Sequence, residues 1–128
     1  NVLDRRRTLT EKLVSLLRCS LADNYLSELT AKIRIEVNGT WYYMNSDGAM
    51  LTGWVDVNGT WYYMNGSGAM LTDWVNVNGT WYYMNSSGAM LTGWVDVRGT
   101  WYYMYSSGAM AYNTYIGSYY VDDSGAWV

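Results

Sequence analysis

The chain has 128 residues, with eight Trp, 14 Tyr, eight Met, 13 Gly, one Cys, no Phe, Pro or His, and a formal net charge of −3. Without histidine the commonest metal ligand and proton shuttle is missing, and the lone Cys19 excludes an intramolecular disulfide framework or a thiolate zinc site, so neither a metal nor a cofactor is expected. Half of the residues are apolar, yet no run approaches the ~18 needed to span a bilayer, and no transmembrane segment is expected.

Every basic residue except Arg98 falls within residues 1–34, which leaves the aromatic-rich remainder acidic. A groove for single-stranded nucleic acid needs positive charge beside its stacking rings, so nucleic acid is excluded as a partner. Residues 8–19 read as a helix: Thr8-Leu9-Thr10-Glu11 has capping-box spacing, and Leu9, Leu13, Leu16 and Leu17 fall on one face. A second short helix is expected over 23–31, with Asp23 as its N-cap. Residues 1–32 are therefore read as a helical segment. It is either a cap over the open end of the aromatic-rich region or a helical pair that meets a host or bacterial protein, a partner that the surface of the aromatic-rich region could also meet. Thirty-two residues cannot build a catalytic domain, so no enzyme is expected. No secretion signal is visible, since the run Leu13–Leu17 is short and Glu11 and Lys12 interrupt its approach.

From residue 33 the chain repeats itself. Gly-Thr-Trp-Tyr-Tyr-Met begins at Gly39, Gly59, Gly79 and Gly99, and Gly-Ala-Met follows at Gly48, Gly68, Gly88 and Gly108. Trp-Val-x-Val precedes three of the four copies, at Trp54, Trp74 and Trp94, whereas Arg34 holds that place in the first. The units cover 33–52, 53–72, 73–92 and 93–112, with a shorter closing unit over 113–128 that ends Gly125-Ala126-Trp127-Val128. Atypical members at both ends are what a stacked array with capping repeats would have.

Each unit reads as a β-hairpin. Trp54-Val55-Asp56-Val57 and Thr60-Trp61-Tyr62-Tyr63-Met64 are β-prone runs on either side of Asn58-Gly59. Asn-Gly is a strong hairpin signal because a type I′ turn needs φ > 0 at both central positions. In Arg98-Gly99 a left-handed arginine is predicted instead. The Asn38-Gly39-Thr40 sequon and its copies are explained by this turn without a glycan. A two-residue turn pairs Val57 with Thr60, Asp56 with Trp61, Val55 with Tyr62 and Trp54 with Tyr63. Trp54, Trp61 and Tyr63 then share one face, and Val55, Val57 and Tyr62 the other. A lone hairpin is marginal in water, so the units must stack through the valine face.

An aromatic face can simply be core. Its composition points to a second use, since Trp, Trp, Tyr and a nearby Met, without a basic residue in the full units, suit a quaternary ammonium. Such a cation donates no hydrogen bond and is held by ring quadrupoles and dispersion. A sugar-binding array is the competing reading. It would want hydrogen-bonding side chains beside each ring, and the third-position residues Asp56, Asn76 and Asp96 give it modest support.

The unit Gly53-Trp54-Val55-Asp56-Val57-Asn58-Gly59-Thr60-Trp61-Tyr62-Tyr63-Met64, followed by Gly68-Ala69-Met70, closely resembles the choline-binding, or cell-wall-binding, repeat of Gram-positive surface proteins. The resemblance covers about 33–128. It implies an all-β fold, a left-handed solenoid of stacked 20-residue hairpins. It also implies a non-catalytic module that attaches to phosphocholine on teichoic and lipoteichoic acids at the cell surface, with adhesin activity as a further role. The glucan-binding repeat is the alternative. Carried over by position, the first cage would be Trp54 and Trp61 with Tyr83, the second Trp74 and Trp81 with Tyr103, and the third Trp94 and Trp101 with Tyr120. Met70, Met90 and Met110 are the candidate fourth walls. Around Arg34, Trp41 and Tyr63 the site should be degenerate, because a guanidinium repels an ammonium.

Overall fold

A computed structural model of the chain describes residues 32–128. The expected helices over 8–19 and 23–31 lie outside the described residues. The strands are β1 (Ile33–Val37), β2 (Thr40–Met44), β3 (Gly53–Val57), β4 (Thr60–Met64) and β5 (Asp73–Val77). They continue with β6 (Thr80–Met84), β7 (Gly93–Val97), β8 (Thr100–Met104), β9 (Thr114–Ile116) and β10 (Tyr119–Val121), and the described residues contain no helix. Each odd-numbered strand pairs with the strand after it in a separate two-stranded antiparallel sheet.

The turns take the predicted form. Asn38, Asn58 and Asn78 stand at φ 53°, and Gly39, Gly59 and Gly79 come next at 83°, 87° and 89°. Arg98 is also at φ 53°, the left-handed arginine that the sequence implies. Its guanidinium pairs with Asp73, which stands at φ 69° where the neighbouring repeats have Gly53 and Gly93. The observed register, Val57↔Thr60, Asp56↔Trp61, Val55↔Tyr62 and Trp54↔Tyr63, is the expected one, and β5–β6 and β7–β8 repeat it. The third-position residues close these turns. The Oδ1 atoms of Asp56, Asn76 and Asp96 accept the N–H of Gly59, Gly79 and Gly99 at 2.9, 3.0 and 2.9 Å. Asp and Asn alternate there because both offer the same oxygen.

After each hairpin a hinge reverses the chain. The Asn65 side chain accepts N–H groups from Ser67 and Ala69, and Asn85 does the same for Ser87 and Ala89. These are Asx turns, in which a short side-chain carbonyl takes the place of a backbone acceptor.

The described chain divides into two compact units between Leu71 and Thr72. In the first, Tyr43 of β2 packs with Val55 and Met64 of the following hairpin, and Tyr62 joins them. In the second, Val95, Val97 and Met104 form the core, against which Trp74 and Tyr83 of the preceding hairpin pack. Within each unit the valine face of the later hairpin thus covers the aromatic face of the one before it. Met44, Met64, Met84 and Met104 are fully buried at the inner strand ends, where each contributes on the order of 1.5–3 kcal/mol.

The closing hairpin is shortened at its tip. Its register is Thr114↔Val121, Tyr115↔Tyr120 and Ile116↔Tyr119, and the outer pairs matching Asp96↔Trp101 and Val97↔Thr100 are missing. Val121 takes the buried place of Met104, and its bridge to Trp127 replaces the bridge of Met104 to Met110. Tyr119, Tyr120 and Trp127 therefore correspond to Tyr102, Tyr103 and Met110 of the preceding unit.

Candidate functional site

The indoles are set at right angles by the register. A residue and its diagonal neighbour two places along share one face, so Trp74 and Trp81 stand edge to face, with centroids 6.2 Å apart and planes at 90°. Trp54 and Trp61 repeat this arrangement at 6.3 Å and 85°. The inner indole is held on both sides: Trp74 lies 5.0 Å from Tyr83 of its own hairpin and 4.8 Å from Tyr102 of the next. The outer indole projects into solvent, with Trp81 and Trp101 both 42% exposed. A ring that served only as core would not be left that bare at the same position in successive repeats.

Two hollows form on this face in the second unit. One, of about 360 Å³, is lined by Trp74, Trp81, Tyr102, Met110, Asp123 and Ser124. The other, of about 340 Å³, is walled by Trp94, Trp101, Tyr119 and Trp127. Neither is lined by a basic residue. Tyr119 stands 5.9 Å from Trp94 and 5.7 Å from Trp127, nearly perpendicular to both. The fourth wall is fixed through the backbone. The N–H of Met110 donates to the carbonyl of Trp81 at 2.9 Å, and that of Trp127 to Trp101 at 2.8 Å.

The structure brings together part of each expected cage. Trp74 and Trp81 line one hollow together with Met110, and Trp94 and Trp101 line the other. The third ring is one residue away from the expected one. Tyr102 rather than Tyr103 faces Trp74 and Trp81, and Tyr119 rather than Tyr120 joins Trp94 and Trp101. Alternation along the strand is the reason. The covering ring must come from the valine face of the following hairpin, and Tyr102 is on that face. Tyr103 is on the opposite face and packs on Trp94 of its own hairpin at 5.2 Å. Tyr120 likewise packs on Tyr115 at 4.9 Å. Tyr83 lies beside Trp74, and Tyr63 lies beside Trp54 at 5.0 Å. Met70 packs against the cluster of Tyr43, Val55 and Met64, while Met90 lies against Gly108. Arg34 lies over Trp41. Trp127 is a wall that the sequence-derived cages lack. Its signal is present in the chain, because Gly125-Ala126-Trp127 repeats Gly108-Ala109-Met110 with an indole in place of the thioether.

The closing hinge is a charged version of the asparagine hinges. Asp122 replaces the asparagine, and its Oδ1 accepts the Ser124 N–H at 2.9 Å, the Ser124 hydroxyl at 2.7 Å and the Ala126 N–H at 3.0 Å. These bonds, the Ser124 hydroxyl foremost, hold the carboxyl below its ordinary range against a lesser opposing effect of desolvation. A depressed folded-state value stabilises the fold above the ordinary carboxylate pKa, and that contribution is lost as pH falls through the folded value. Acid should therefore loosen the hinge that carries Trp127. The thermal midpoint of the wild type is expected to fall more steeply below about pH 4 than that of Asp122→Asn, whose amide keeps the acceptor without the proton. Parallel curves would count against it.

Among the described residues no group of three His, Cys, Asp or Glu side chains is placed to hold a metal, and no helix is long and apolar enough to cross a membrane. The family model of the choline-binding repeat matches residues 34–73 and 71–115. Choline binding protein F from Streptococcus pneumoniae is 48% identical over 77% of the chain, with a TM-score of 0.73, and the chain spans 34% of that protein. The choline-binding domain of Spr1274 in Streptococcus pneumoniae is 52% identical over 61% of the chain and 95% of that domain, with a TM-score of 0.58. A multimodular pneumococcal cell-wall endolysin from phage Cp-1, solved in complex with choline, is 42% identical over 74% of the chain and 30% of its own length, with a TM-score of 0.53. Among curated proteins none matches the chain.

Proposed function

The chain belongs to the choline-binding repeat family, and on that premise we propose that its aromatic boxes hold the trimethylammonium group of choline and tether the protein to phosphocholine-bearing polymers of a bacterial cell wall. The observation that carries this reading is the pair of boxes in the second unit. One has Trp74, Trp81, Tyr102 and Met110 as walls, and the other has Trp94, Trp101, Tyr119 and Trp127. An ammonium wrapped in methyl groups gives up little hydration on entering such a box, and edge-to-face rings present their negative faces to it. Asp123 at the rim of the first box adds a carboxylate on the side open to water. Its charge favours a cation at low salt and is screened as salt rises.

Three rings at about 1–2 kcal/mol each give roughly 3–6 kcal/mol before association costs, so a single box should bind at about millimolar strength. A polymer that presents many phosphocholines engages several boxes at once, and avidity can gain ~10²–10⁴ without a new contact. Successive repeats would then offer their sites to a repeated epitope. The module is a non-catalytic anchor, and a partner for residues 1–32 would make the anchored protein an adhesin. The glucan reading is weakened, because Asp56, Asn76 and Asp96 each commit their Oδ1 atom to the turn.

Calorimetric titration with choline chloride, against sodium chloride at equal ionic strength, tests the proposal. Saturable heat specific to choline, with more than one site per chain and a dissociation constant near millimolar, is the expected result. No heat up to tens of millimolar, together with heat on adding a glucan oligosaccharide, would replace it with the sugar-binding reading.

A further inference from the structure

The first hairpin carries the frame of a box with a different residue inside it. Arg34 pairs with Tyr43 at the register position where Trp74 pairs with Tyr83 and Trp94 with Tyr103. The outer indole, Trp41, is kept, and the N–H of Met70 donates to its carbonyl at 2.9 Å, the same tie that Met110 makes to Trp81. Tyr62 occupies the sequence position of the covering ring Tyr102, and it lies 5.1 Å from Tyr43. We infer that the walls that remain form a cation site whose ligand is the chain's own guanidinium: Arg34, standing where the inner indole would be, is a tethered plug that occupies the first box and closes it to choline. The inference rests on the reading of the other boxes as choline sites.

Three observations support it. The Arg34 guanidinium carbon is 4.1 Å from the centroid of the Trp41 ring, within cation–π range. The Arg34 Nε is buried and has no hydrogen-bond acceptor. An N–H stripped of water is costly unless something replaces the lost hydration, and here the indole face is what stands beside it. Finally, Trp41 is only partly exposed, whereas Trp61, Trp81 and Trp101 are open to solvent at 41–42%. Arg34 also bears on the buried Tyr43 phenol. Burial and Tyr62 raise the pKa of that phenol, while the arginine's charge and hydrogen bond oppose them.

Guanidinium suits the role. Like a quaternary ammonium, it is a diffuse and weakly hydrated cation that stacks on aromatic faces. It is held by the same backbone as the box, so its effective concentration far exceeds the millimolar range in which free choline would compete. The arginine does more than repel choline: it takes its place.

The test uses the full chain in three forms: wild type, Arg34→Trp and Trp41→Leu. In choline titrations, Arg34→Trp is expected to bind one more choline per chain than the wild type. In nitrogen-edited proton spectra the wild-type Arg34 Nε–H is expected upfield of ordinary arginine, because it lies over the Trp41 ring, and that shift should vanish in Trp41→Leu. A wild type that binds choline beside a folded Arg34→Trp that gains no site would overturn the plug and leave the proposed function standing. A chain that takes no choline as wild type or as Arg34→Trp would overturn the proposed function and the plug with it, and the arginine resonance would then report only on the stacking of Arg34 on Trp41. An Nε–H at the ordinary position in the wild type overturns the plug in every case, including one in which Arg34→Trp fails to fold.

Discussion

Trp74→Ala is expected to remove one choline site and also to lower stability by about 2–4 kcal/mol, near the lower part of the range for deleting a large ring from a packed setting. The indole is shared between two tasks. One side walls the box with Trp81 and Tyr102, and the other packs on the core of Val95, Val97 and Met104, with Tyr83 at 5.0 Å. Trp81→Ala is the companion measurement. That ring is 42% exposed and belongs to the box more than to the core, so its loss should remove the same site at a stability cost within about 1 kcal/mol. Chemical denaturation gives the stability difference, and calorimetric stoichiometry counts the sites. If both variants keep every site, the box is not where choline binds. If Trp81→Ala is as destabilising as Trp74→Ala, the outer indole is core after all and the aromatic face has a structural purpose.

This division of labour is only half legible in the sequence. Asn58-Gly59 and the β-prone runs beside it set the turn, the turn sets the register, and the register sets the two faces, all through local rules. Which face of one hairpin covers which face of the hairpin before it is a long-range property with no local signal. For that reason Tyr103 stands in for Tyr102 in the sequence-derived cage, and Tyr120 for Tyr119. Once the valine face is known to cover the preceding indoles, alternation alone selects Tyr102. Asp56, Asn76 and Asp96 illustrate the opposite case. Their Asp/Asn variation resembles a ligand-facing feature, whereas a turn acceptor needs only one oxygen and does not discriminate between the two. At Arg34 the sequence marks the substitution and the sign of the charge. It does not say that the side chain folds back over Trp41, and that geometry turns a damaged site into an occupied one.

Gly125→Ala joins stability to binding through a single contact, and its expected effect is the second largest. Gly125 stands at φ +85°, and a Cβ on it would lie 2.5 Å from the Met110 sulfur and 2.8 Å from its methyl carbon. Gly117, in the turn of the same hairpin, is at φ +62° with nothing within 4 Å of a Cβ. Gly117→Ala therefore isolates the cost of a left-handed alanine, about 1–2 kcal/mol. Gly125→Ala should exceed it, reaching roughly 2–4 kcal/mol, because the thioether must also leave a packed position. Met110 is a wall of the box formed by Trp74, Trp81 and Tyr102. When it swings away, choline there should lose the sulfur contact, worth about 0.3–1.5 kcal/mol, or about 2- to 10-fold in affinity. The double variant Gly125→Ala/Met110→Ala separates the two effects. With the methionine trimmed, the excess over Gly117→Ala should shrink, and the two changes should couple favourably in denaturation while choline binding at that box stays weak. Strict additivity of the two substitutions would mean that the glycine is required for its backbone angle alone, with no part in holding the fourth wall of the box.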